Sequence, residues 1–323
     1  MDSPPAQVSV VAPIQPAIER ARRLLFEPFD LARWFAIGFC AWLARLGQVG
    51  FSGFNFRVPL ASDARAPRVP SWHGSFAVWE QVGSALMRNL HWVLPLVVAL
   101  AGLVVVLWLV VVWLGSRGAF MFLHCVALDR AEVAVPWRRY AREARSLFFF
   151  RLALSLIAAV PILALLATVV VVVVRIFMQG GTLLAGWLVL IAAGLALLAL
   201  GVGFVVVAKL TQDFVVPIMF LRGATWRQAW RELLGLFAGR LHLLVVYLLF
   251  QIVLAMAIGV VIVIAVIATC CIAGCLMVLP YLGTVALLPI FVFQRAYSLY
   301  YLGQLGTRYD LFQTAAQPPV APT

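Results

Sequence analysis

The chain has 323 residues, of which 65% are hydrophobic and 11% charged, and its mean hydropathy is +1.06. An ordinary soluble domain is about half apolar and about a quarter charged, so this composition in water would expose large apolar patches; it indicates a polytopic membrane protein. The net charge of +12 comes from 23 arginines and one lysine, Lys209, against 12 acids, and its confinement to short links points to an anionic membrane surface rather than nucleic acid.

Residues 1–28 read as an N-terminal cytoplasmic segment. They show no basic region followed by an apolar core, so no cleavable signal peptide is expected. A six-helix transmembrane domain is expected over 29–306. Its first span, Leu31–Gly50, is the weak one, because only eleven uncharged residues separate Arg33 from Arg45. It reaches the roughly 20 residues a bilayer requires only if both arginines snorkel to opposite headgroup layers. The alternative is a helix lying in the interface.

A Pro-, Gly- and Arg-rich outer loop, Phe51–Ser75, follows, and Trp79, Val82, Leu86 and Leu90 then share one face of an amphipathic helix over Phe76–Leu90. Trp92–Leu114, Leu152–Val174 and Thr182–Ala208 are long and uncharged enough to cross a membrane. Val-rich runs such as Val169–Val174 would favour strands in water, but length and flanks make them helices here.

Between the second and third spans stands PWRRYAREARSLFFFRL, Pro136–Leu152; before the fifth stands TWRQAWRELLGLFAGRL, Thr225–Leu241. Without gaps the two agree at eight of seventeen positions, among them Trp137/Trp226, Arg138/Arg227, Arg142/Arg231 and Phe148/Phe237. The match suggests an internal parallel repeat of span, cytoplasmic elbow helix and span; the competing reading is chance agreement among residues common at interfaces. Trp137, Tyr140, Ala144, Leu147 and Phe148 make one apolar stripe at helical spacing, as do Trp226, Trp230, Leu233 and Phe237. Arg138, Arg142 and Arg145, with Arg227 and Arg231, line another face. Like charges four residues apart repel, so these arginines want an anionic partner. Lipid headgroups are the simplest one, with the aromatic stripes in the acyl boundary.

Small residues Ala192, Ala196, Ala199 and Gly203 recur along the fourth span and would let another helix approach, from this chain or a second copy. At its end, Lys209 and Asp213 are spaced to pair. Their functional reading is a polar pathway with Gln251 and Arg295; the structural reading is an ion pair that ends the span. Residues 243–268 and 277–300 give the last two spans, joined by a turn near Thr269–Pro280 that contains TCCIAGC. Five cysteines without framework spacing suggest no disulfide scaffold, and no metal or other cofactor is expected, because zinc sites need four ligands in paired spacing. A Pro-rich cytoplasmic tail, 307–323, closes the chain.

With six spans and both termini inside, 18 basic residues fall on the cytoplasmic side and six outside; removing the first span gives 14 against 10. The positive-inside rule favours the former. No H-E-x-x-H, G-x-S-x-G or phosphate-binding glycine loop is present, and no carboxylate lies within a span core. This lowers catalysis and coupled transport as functions.

The segments FDLARWFAIGFCAWLARLG (Phe29–Gly47), SRGAFMFLHCVA (Ser116–Ala127) with the following PWRRY, and LPYLGTVALLPIFVFQRAYSLYYLGQLG (Leu279–Gly306) resemble a family of uncharacterised bacterial six-span membrane proteins. That family is similar in outline to membrane domains attached to some glycerophosphodiester phosphodiesterases. The resemblance implies a bacterial cytoplasmic membrane and six helices, and carries no substrate or catalytic residue. The sequence thus leads to a non-enzymatic, all-α membrane protein that binds anionic lipid or scaffolds a membrane partner, with a transporter or channel for a small or lipidic solute as the alternative.

Overall fold

The structure, a computed structural model, describes residues 8–46, 90–179, 184–269, 274, 277 and 279–312. Every regular element among them is helical. The expected loop 51–75, helix 76–90 except its last residue, and most of TCCIAGC lie outside the described residues. In chain order the helices are α1 (Ile14–Phe26), α2 (Leu31–Leu46), α3 (Leu90–Leu128), α4 (Ala134–Arg139), α5 (Ala141–Gln179) and α6 (Leu184–Leu210). A π turn, Thr211–Val215, runs on into α7 (Val216–Arg222); α8 (Trp226–Phe237), α9 (Leu241–Ala268), α10 (Pro280–Ala286) and α11 (Leu288–Gln304) follow. Two compact units divide the chain: Gly53–Val111, whose described part is the uncharged start of α3, and the remainder, which holds the packed core.

Four segments are long and apolar enough to cross a membrane: Leu94–Leu128, Ala141–Arg175, Gly186–Arg222 and Leu241–Ala268. In hydrocarbon, each backbone N–H and C=O must be satisfied within its own segment, which favours helix even for the valine runs. The other two expected spans are not among these four. α2 has 16 residues, about 24 Å at 1.5 Å per residue, short of a hydrocarbon layer of about 30 Å; residues 47–50 lie outside the described ones. The last span is broken at Leu287, where α10 ends and α11 begins with Pro289 in its first turn. Nor does Arg45 snorkel away: its guanidinium carbon stacks 4.1 Å from the Phe291 ring centroid. Arg33 pairs with Asp129 just beyond α3.

Packing is concentrated at one end of the long helices. Helix α5 has 39 residues, about 58 Å, so it overshoots the hydrocarbon, and the overshoot is its arginine-bearing start, Ala141–Arg151. There Ala144, Leu147 and Phe150 are buried, whereas no residue from Leu152 to Arg175 is. Among the side chains described on α6, the apolar run buries only Ala193 before Leu210, and on α9 only Gly259 is buried beyond Gln251. The core is built instead from the end of α3 (Ala119–Ala127), the π turn and α7, one face of α8, and α1, α2 and α11. Gly118 permits the closest approach within it. A Cβ there would fall 2.4 Å from the backbone of Leu43 and Ala44, so α2 and α3 touch main chain to main chain. Arg20 ties α1 to the same place by donating to the carbonyls of Val126 and Ala127 at 3.1 Å, satisfying acceptors that the end of α3 leaves free.

Both elbows are helical at their arginines, and both pack into this core. Tyr140 stacks on Phe220 at 4.7 Å, Trp226 and Trp230 lie against Phe150, and Phe237 meets Phe214. This corrects the assignment of the aromatic stripes wholly to the acyl boundary: protein buries Ala144, Leu147, Leu233 and Phe237 and half-covers Trp137, Tyr140, Phe148, Trp226 and Trp230, because the helix starts converge closely enough to supply aromatic partners. The backbone does not follow the gapless match. The first elbow breaks at Tyr140, the second at Ala238–Arg240, and the equivalent of Tyr140, Ala229, is buried within α8.

Candidate functional site

Two groups of polar residues stand out at the packed end. The first is superficial. Arg138, Arg142, Arg145, Arg227 and Arg231 are all exposed. Burial of the stripe residues on the opposite helix faces turns these side chains outward. None forms an ion pair among the described residues, and the one contact shown is Arg227 over its neighbour Trp226, 5.3 Å from the ring centroid. Arg222, by contrast, is engaged with Glu232 at 2.7 Å. Glu143 keeps one carboxylate oxygen buried without a hydrogen-bond partner. Tyr309 donates to Glu232; burial, and then that carboxylate, lift its phenol to about 12 against the lowering influence of Arg222 and Arg308.

The second group is internal and is organised by the π turn. Pro217 has no N–H to return to the carbonyl of Asp213, and the wider turn at Thr211–Val215 accommodates this where an α-helix would leave a clash; such bulges frequently mark functional positions. The turn presents Gln212 and Asp213 inward. Lys209 Nζ lies 3.0 Å from Asp213 Oδ2, Tyr247 donates to the same oxygen at 2.9 Å, and Gln251 Nε2 donates to the Tyr247 hydroxyl at 3.0 Å. Arg295 on α11 donates to the Gln212 carbonyl. From α5, Arg151 Nη2 reaches Gln212 Oε1 at 3.1 Å and Nη1 reaches Ser116 Oγ at 3.4 Å.

Lys209, Asp213, Gln251 and Arg295, grouped by sequence position and residue type alone, therefore share one network. Arg151 and Tyr247 belong to it as well. Sequence reasoning missed Gln212 and Ser116. Gln212 beside Asp213 near a proline was the available signal, whereas nothing in the neighbourhood of Ser116 marks it. The small-residue stripe lies elsewhere: Ala192, Ala199 and Gly203 are exposed, while the buried small residue on that run is Ala193. His124 is buried with both ring nitrogens unpartnered between Tyr140 and Phe220. Among the described residues no His, Cys, Asp and Glu cluster could hold a metal ion.

Residues 8–288 match a family of unknown function, DUF7544, and the chain belongs to that family. The matched stretch contains both elbows, the π turn and Tyr247; Arg295 lies beyond its end. No curated protein and no solved structure matches the chain.

Proposed function

We propose that this member of the DUF7544 family is a non-enzymatic integral protein of a bacterial cytoplasmic membrane that binds anionic lipid through its arginine-bearing end. One observation carries the reading: five exposed arginines, Arg138, Arg142, Arg145, Arg227 and Arg231, form no ion pair among the described residues. Each basic residue near an anionic surface contributes about 1 kcal/mol of attraction, so such a cluster would seat firmly. The positive-inside rule assigns that end to the cytoplasm, and six crossings follow if α2 with residues 47–50 and α10 with α11 complete the bundle. Native mass spectrometry tests the lipid role. Replacing Arg138, Arg142, Arg227 and Arg231 with Gln should strip most of the bound phosphatidylglycerol or cardiolipin; unchanged retention would refute it. Within this reading, Ala192, Ala196, Ala199 and Gly203 are the face offered to a membrane partner or a second copy.

A transporter or channel is the second reading, favoured by the hydrogen-bonded run Lys209–Asp213–Tyr247–Gln251. Solute flux in proteoliposomes that disappears in Asp213→Asn would support it.

A further inference from the structure

The internal network has a charge imbalance. Lys209, Arg151 and Arg295 bring three cations to a network whose one carboxylate, among the described residues, is Asp213. The remaining partners are neutral: Ser116, the side chain and carbonyl of Gln212, Tyr247 and Gln251. Arg151 and Arg295 are 7% and 4% exposed, too deep for water to screen their charge. Arg295 is the least satisfied. Its Nη1 holds the Gln212 carbonyl, but Nε and Nη2 are buried without any partner. An arginine kept charged at that depth with two donor nitrogens idle lacks an acceptor, and surplus buried charge of this kind is costly unless paired. Among the described residues the nearby acids do not compensate: Glu143, two turns before Arg151, lies about 12 Å away along α5, and Glu232 is taken by Arg222 and Tyr309.

The missing acceptor has a recognisable chemistry. Guanidinium forks bind the paired oxygens of a phosphoryl group with two parallel hydrogen bonds, and one such anion would bring the cluster close to neutrality. Access is available at the rim. The Lys209 side chain is 37% exposed; Val205, one turn earlier on α6, and Ile252, beside Gln251 on α9, are both exposed apolar residues. Acyl chains could therefore stay in hydrocarbon while a phosphate enters past Lys209.

We propose that Arg151, Arg295 and Lys209 form an internal site for one phosphoryl group, supplied by a phospholipid headgroup or by free phosphate. The site is independent of the surface arginines and stands if their lipid role fails. The test uses the full chain, delipidated in neutral detergent, with Arg138, Arg142, Arg227 and Arg231 all replaced by Gln so that surface binding does not contribute. Dioleoylphosphatidylglycerol should raise the unfolding temperature and leave one tightly held adduct in native mass spectra, while dioleoylglycerol, which has no phosphate, should do neither. Inorganic phosphate giving the same rise would identify free phosphate as the source; no effect of it beside a response to the lipid would identify the headgroup. Adding Arg295→Gln should weaken the response about tenfold. If that variant does not fold, Lys209→Gln, altered at the half-exposed rim, carries the same comparison with a smaller loss. The proposal is overturned if neither phosphate-bearing probe acts on the parent protein, or if the folded variant responds as its parent does.

Discussion

Trp226, the first residue of α8, donates its backbone N–H to Ser146 Oγ on α5 at 3.0 Å. This bond joins the second arginine-rich elbow to the first. Neither elbow is then free to fold as an isolated interfacial helix, because each supplies part of the other's apolar cover: Phe150 lies 5.0 Å from the Trp226 ring centroid and 6.0 Å from that of Trp230. Phe150→Ala should cost about 3–5 kcal/mol and expose Trp226 and Trp230, read as lower thermal stability in detergent and a red shift in tryptophan emission. No shift would place the two elbows apart.

Gly118→Ala should destabilise the packed end by an amount typical of overpacking, about 1–3 kcal/mol or more, because the added methyl meets main chain that cannot rotate aside. Gly201→Ala on α6 is the control. Nothing lies within 4 Å of a Cβ there, and helix propensity alone would favour the change.

Tyr247→Phe removes one of the two hydrogen-bonding partners of Asp213 and leaves the Gln251 amide without its acceptor. A loss of about 1–3 kcal/mol is expected. Asp213→Asn should cost more, about 3–5 kcal/mol, since it strips the network of its one negative charge. Equal unfolding temperatures for the two variants would contradict the charge distribution described for this network.

Cys40 and Cys125 are buried with their sulfurs 3.8 Å apart. In a variant with Cys270, Cys271 and Cys275 replaced by Ser, a membrane-permeant maleimide should label neither thiol until the protein is denatured, and then both. Rapid labelling of the native protein would mean that α2 does not pack on α3.

Tyr309 gives a pH dependence with a defined sign. Its phenol is raised above the ordinary value of 10 to about 12, so the folded state holds the proton more tightly than the unfolded chain. The resulting stability is complete below about pH 10 and is lost as pH climbs through about 12. The stability gap between wild type and Tyr309→Phe should accordingly shrink over that window. A gap that stayed constant or widened would contradict the hydrogen bond to Glu232.

Residence in a membrane, helical structure, the lipid-facing stretches of α5, α6 and α9 and the concentration of arginines beside them were all determined by the sequence. Each follows from transfer free energy and from the need to satisfy backbone groups without water, which depend on composition along the chain and on no particular neighbour. The pairing of Lys209 with Asp213 was legible for a similar reason, since four residues on a helix bring side chains together. The tertiary structure alone decided that the elbow stripes turn largely inward, that α2 meets α3 main chain to main chain at Gly118, and that Arg151, Gln212 and Arg295 meet from three segments. Helices such as α6 and α9 are apolar all round, so no periodicity marks the face each presents. Which surfaces meet is settled by shape and by the few polar atoms that must find partners, and those relations arise only once the helices are packed.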